Sequence, residues 1–137
     1  MELWDHPPGA EPMDRDAFRD AFGRFLERTD RDDRWVGWVA EEDARPGRLV
    51  GTLTLCRVTM LPTPWNVTRA WGYVTSIQVD PERRGGGLGH ALMDEAVAWA
   101  RAHGLEQLLL WAAGESPAFY ESVGFRRPRI VMELPLS

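Results

Sequence analysis

Phe18, Ala21, Phe22, Phe25 and Leu26 fall at the i, i+3, i+4, i+7, i+8 spacing of a single helix face, with acids and arginines between them. This spacing predicts an amphipathic helix over residues 14–28, capped by Asp14 or Asp16 and ended by the polar stretch 29–34. The pattern then turns to strands. Residues 35–40 and 49–60, joined by a polar connection containing Pro46-Gly47, predict an antiparallel hairpin. Residues 61–70, with Pro62, Pro64 and Trp65, predict a long loop, and 71–79 returns to strand character.

Beyond Val79 the pattern changes again. A glycine-rich turn leads into a helix with Leu88, Leu92, Ala96 and Trp99 along one side, reaching about His103 and stopped by a left-handed Gly104. Residues 105–111 then predict a short strand buried on both faces. A strand, a helix and a second strand joined in this way form a right-handed crossover, so this part of the sheet is expected to be parallel. A short helix over 116–122 and a last strand through 130–134 complete the expected elements. The class is therefore α/β (α+β): a mixed, mostly antiparallel sheet flanked by helices in one domain over residues 1–137. Residues 1–13 are expected to be weakly structured or to hold a first strand at 2–4.

Composition narrows the chemistry. With 44% hydrophobic and 27% charged residues, the 137-residue chain has globular rather than disordered character. Its longest apolar run, residues 108–113, is far short of the roughly 20 residues that span a bilayer, so no membrane partner is expected. Acids and prolines stand near Met1 where a secretory signal would carry basic and apolar residues, which gives an expectation of a cytoplasmic protein. The single cysteine, Cys56, has no internal partner, and His6, His90 and His103 lack metal-ligand spacing, so neither a disulfide nor a metal is expected. All 16 basic residues are arginines, which excludes a lysine Schiff base and a phosphate-loop lysine. The net charge of −5 resides in residues 1–48, and no basic cluster suited to nucleic acid is visible.

The segment Arg84-Gly85-Gly86-Gly87-Leu88-Gly89 places four glycines in five positions between a strand and a helix. Amides unobstructed by side chains, together with the partial positive charge of a helix start, make a cradle for phosphate or diphosphate. Two phosphate readings fail on spacing. Counting G-x-G-x-x-G from Gly85 and Gly87 places His90 at the third glycine, against a dinucleotide fingerprint, and a Walker loop needs a lysine.

What fits is R-x-x-G-x-G after a strand ending Val-Asp-Pro, and here the sequence resembles the GNAT superfamily of acetyltransferases. A second signature agrees: Phe119-Tyr120-Glu121-Ser122-Val123-Gly124-Phe125 is similar to the family's short helix and following turn. The resemblance implies an acetyl-CoA-dependent N-acetyltransferase whose acceptor is a primary amine of a small molecule or peptide, working as a monomer or homodimer. It implies that backbone groups of Ile77, Gln78 and Val79 hold the pantetheine arm. It further implies that Gly85, Gly86, Gly87, Leu88, Gly89 and His90 hold the diphosphate with Arg84 or Arg83, and that Tyr120 is the catalytic acid. The alternatives are a non-catalytic acyl-CoA-binding module, or an enzyme using another acyl-CoA or acceptor.

The chain departs from the family pattern at three points. Ala113 stands where many relatives carry a cofactor-contacting asparagine, the strand 73–79 holds no carboxylate to act as a base, and only one long helix precedes the first hairpin. The acceptor pocket is expected between that helix, the loop 61–70 and the chain's last hairpin, with Trp65 and Trp71 as an aromatic wall.

Overall fold

A computed structural model describes residues 11–112, 117–127 and 131–136. Helix α1 spans Arg15–Thr29, and the Asp14 carboxylate caps it by accepting from the Ala17 amide at 3.2 Å. Its expected amphipathic stripe is present, yet none of its residues is buried: Phe18, Phe22 and Leu26 keep 41%, 47% and 52% of their surface exposed. The helix therefore stands off from the sheet and leaves a groove beneath it.

The sheet contains β1 (Trp35–Glu41), β2 (Leu49–Thr59), β3 (Ala70–Val79) and β4 (Leu108–Leu109), in that spatial order. β1 pairs with β2 and β2 with β3 antiparallel, while β3 pairs with β4 parallel. The mixed, mostly antiparallel sheet and the crossover through α2 (Leu88–Ala102) match the expectation from pattern. The strand expected over 105–111 shrinks to two residues, because β4 meets β3 only at Gly72 and Tyr73. Residues 131–134 carry no strand assignment, which corrects the expected last strand; Ile130 and the candidate first strand at 2–4 lie outside the described residues.

One face of the sheet packs on α2. Leu53, Leu55 and Val74 from the strands meet Leu92, Met93 and Ala96 from the helix to form the core. Gly51 allows the close approach: a Cβ there would lie 3.0 Å from Leu92 and 3.2 Å from Leu88. At the far edge, Trp38 and Trp99 pack edge to face with ring centres 5.9 Å apart.

A bulge in β3 decides which way its last residues face. Thr54 pairs with Ser76 but Leu55 pairs with Val74, so Thr75 is an extra residue on β3. Before it, Ala70, Gly72 and Val74 face the core; after it, Ile77 and Val79 do. The bulge rephases the strand, and Thr75 and Ser76 both fall on the α1 side.

The loop between β2 and β3 is stapled by Glu106. Its carboxylate accepts from Arg69 Nε at 2.9 Å, Trp71 Nε1 at 3.1 Å and Asn66 Nδ2 at 3.2 Å. Hydrogen bonds from Arg69 and Trp71 hold this carboxyl below its ordinary range.

Two measurements test this packing. Leu53 is fully buried, so Leu53→Ala is expected to lower unfolding free energy by about 2–5 kcal/mol in urea titrations, with an unchanged value contradicting its core role. Glu106, with its lowered pKa, contributes stability present above the ordinary carboxylate range near about pH 4.3 and lost as pH falls through the lowered value. Glu106→Gln is therefore expected to flatten the acid-side loss of stability, read from melting temperature against pH.

Candidate active site

β3 ends in an asymmetric way. Its β2 side is paired through Val79, whereas its other side is paired only at Gly72 and Tyr73. Among the described residues, the backbone edge beyond Val74 on that side has no strand partner, and it runs directly into the glycine segment. Such an edge is a ready template for an extended ligand.

The turn after β3 is built in two parts. Asp80 and Pro81 open a single 3-10 turn, Pro81–Arg83, in which the Asp80 side chain accepts from the Glu82 amide at 3.0 Å. Ion pairs then tie this turn to the β1–β2 connection: Glu42 pairs with Arg83 and, at 3.5 Å, with Arg48, which also reaches Asp80 at 3.5 Å. Arg83 is thereby engaged by Glu42. Both arginines line the cleft, and Arg84 is exposed with no ion pair among the described residues.

Gly85 and Gly87 adopt left-handed φ values of 83° and 84°, and a Cβ at either would meet nothing within 4 Å. The conformation demands glycine and leaves open space over the amides. Gly87 is the N-cap of α2 and provides no side chain to accept from the first-turn N–H groups. These amides are left for an outside acceptor, with the helix dipole adding to the attraction for an anion.

A cleft of about 630 Å³ joins these features, and it is lined by Ile77, Gln78 and Val79 on one wall and by Arg84, Gly85, Gly87, Leu88, Gly89 and His90 on another. Gly86 is exposed next to this lining. Phe119 and Tyr120 of helix α3 (Pro117–Ser122) complete the cleft. All the residues that sequence singled out for the cofactor and the catalytic acid, apart from Gly86, line this one cleft, while Ala113 lies outside the described residues. The cleft fits a phosphate-bearing extended cofactor: the cradle is open where glycine alone is tolerated.

Phe119 opens the second signature, but its contact with the glycine turn has no local signal in the sequence. A Cβ at Gly89 would sit 3.2 Å from its ring, so the missing side chain of this glycine makes room for the docking of α3. His90 completes that docking, with Nε2 2.8 Å from Ser122 Oγ and its ring edge-on to Phe119 at 4.8 Å. Ser122 Oγ donates its one proton to the Phe119 carbonyl at 2.5 Å, so His90 Nε2 is the donor in the pair. Tyr120 packs on Phe125, and burial pushes its phenol above the ordinary value.

A second groove, about 550 Å³, lies between α1 and the sheet. Phe18, Phe22, Phe25 and Leu26, with Trp35, form one side; Thr52, Thr54, Thr75, Ser76 and Gln78 form the other. The alternation Thr52-Leu53-Thr54-Leu55 is the signal from which this hydroxyl floor was legible. Gln78 lines both this groove and the cleft. Trp65 and Trp71 line neither of them: Trp65 is 90% exposed on its loop, and the Trp71 indole is bound to Glu106. The expected tryptophan wall is not formed at either cavity, because the Glu106 staple holds the loop 61–70 at the other end of β3.

The chain belongs to the acetyltransferase (GNAT) family, whose sequence model matches residues 2–125. It is 36% identical over 90 residues to a glucosamine 6-phosphate N-acetyltransferase of Trypanosoma brucei brucei, covering 66% of this chain and 59% of that protein. It is 33% identical over 116 residues to a mycothiol acetyltransferase of Saccharomonospora viridis, covering 81% and 32% of the respective chains. The chain thus spans less than two-thirds of the length of these curated relatives. Its fold matches a crystal structure described as a predicted acetyltransferase with acetyl-CoA from Clostridium acetobutylicum, with a TM-score of 0.75 and 26% identity over 93% of this chain and 80% of that one. Among the described residues, no helix is long and apolar enough to cross a membrane.

Proposed function

We propose that the chain transfers an acetyl group from acetyl-CoA to a primary amine of a small molecule or peptide, by direct attack in a ternary complex. The observation that carries this reading is the continuity of one cleft: an open strand edge, then a helix start with free amides, with a tyrosine facing both. The N-acetylation named for the Trypanosoma brucei brucei relative supports the same reaction class.

In this reading, backbone groups of Ile77, Gln78 and Val79 bind the pantetheine arm as an added strand would. Amides of Gly85, Gly86, Gly87, Leu88, Gly89 and His90 hold the diphosphate, and Arg84 contributes its guanidinium fork. When bound, acetyl-CoA supplies a thioester as the activated acyl group. A backbone amide of the β3 edge stabilises charge developing on the acyl oxygen. As the new N–C bond forms and the C–S bond breaks, Tyr120 gives its phenolic proton to the departing thiolate. The raised phenol pKa keeps that proton in place at neutral pH and beyond. Ser76 and Gln78, on the wall facing α1, order water that carries away the proton lost by the amine.

Two variants separate binding from chemistry. Gly87→Glu is expected to weaken acetyl-CoA binding at least a hundredfold in calorimetry, since it places a carboxylate against the diphosphate. Gly87→Asn, which tolerates left-handed backbone, is expected to lose far less; equal affinity for parent and Gly87→Glu would remove the cradle. Tyr120→Phe is expected to lower kcat by about a hundredfold while changing acetyl-CoA affinity little. A bound cofactor with no turnover on any amine, in the parent protein, would identify a binding module instead.

A further inference from the structure

The groove beneath α1 has a chemistry of its own. Its helix side is a connected aromatic surface: Phe18 and Phe22 ring centres are 6.0 Å apart, Phe22 and Phe25 6.1 Å, and Phe25 meets Trp35 edge-on at 5.1 Å. Phe18 and Phe22 keep almost half of their surface exposed although their stripe faces the sheet. A stripe of that kind normally closes onto the sheet and buries its rings. Here it is held open opposite polar side chains.

We propose that this groove seats the organic group of the acceptor and that the acceptor is a small arylalkyl primary amine. The proposal rests on the acetyl-transfer reading and names the substrate class for it. A volume of about 550 Å³ lies within the range of roughly 300–1,000 Å³ typical of small-molecule sites. The ring of the ligand meets the phenylalanine surface edge-on or offset, as aromatic pairs prefer. The amine end is directed by the opposite wall. Thr75 Oγ1 donates to the Thr54 carbonyl at 3.1 Å and keeps its acceptor lone pairs, and Ser76 and Gln78 are the polar groups facing the ligand beyond the bulge. Gln78 also belongs to the cofactor cleft, so an amine reaching it stands where the two cavities meet. A sugar phosphate fits this surface poorly, because its charge would lose hydration against four aromatic rings.

The test uses the purified full chain, with acetyl-CoA and three amines: phenethylamine, ethanolamine and glucosamine 6-phosphate. Thiol release is expected to give phenethylamine a kcat/KM at least about tenfold above either of the others. Phe22→Ala is expected to raise the Michaelis constant for phenethylamine about five- to tenfold, the worth of one aromatic contact, and to leave the calorimetric Kd of acetyl-CoA unchanged. Equal or better turnover of ethanolamine or the sugar phosphate overturns the proposal, as does an unchanged Michaelis constant in Phe22→Ala. Equilibrium dialysis of phenethylamine against the parent and Phe22→Ala separates the groove assignment from the acetyl-transfer reading. Acetyl-CoA bound with phenethylamine neither bound nor acetylated rejects the groove assignment alone. Phe22-dependent amine binding without acetyl-CoA binding rejects acetyl transfer and leaves the groove standing.

Discussion

A strand inside a sheet satisfies the hydrogen-bonding groups on both of its edges; among the described residues, β3 does so on one side and has no strand partner on the other after Tyr73. The site depends on that half-open edge. It exists because β4 pairs for two residues only, and because the chain leaving β3 turns through Asp80 and Pro81 straight into α2. Backbone polar groups there require a partner, water or ligand, and the amides at the α2 start are in the same position. Two unsatisfied backbone features placed end to end define an extended, anionic ligand better than any one side chain does.

The scaffold around this edge is rigid where it needs to be. Leu53, Leu55 and Met93 are fully buried between sheet and helix, so the register of α2 against β2 is set by close packing at Gly51. The Glu42, Arg48, Asp80 and Arg83 network fastens the approach to the glycine turn from outside. Helix α3 has six residues and no buried side chain, and it gains its place through Phe119 against Gly89 and Ser122 against His90. The turn with the free amides therefore also positions the tyrosine across the cleft.

Much of this was legible in the sequence. Periodicity located α1, β1, β2, β3 and α2 to within a residue or two, because each has a clear 3.6- or 2-residue pattern, and the spacing of the glycines marked the cleft. What escaped had no local signal. The shortening of β4 follows from how two strands diverge, the engagement of Arg83 from a glutamate 41 residues away in sequence, and the fate of Trp71 from Glu106. Residues 131–134 have strand-like composition but no strand assignment, since composition describes what fits a sheet and cannot supply a neighbour. Trp65 misled for a related reason: an aromatic residue beside prolines suggests a wall, and only the tertiary staple shows that the loop faces elsewhere.

The extra residue at Thr75 carries one more implication. Every position from Ser76 to Val79 keeps the facing of its β2 partner because the bulge takes up that residue locally. Excising Thr75 would straighten the strand and leave that facing intact, whereas forcing Thr75 into regular pairing would swing Ile77 and Val79 out under α1. The invariant is thus the partnership of these four positions with their neighbours on β2, and slack in the chain beside Val74 is absorbed as a kink instead of being passed down the strand.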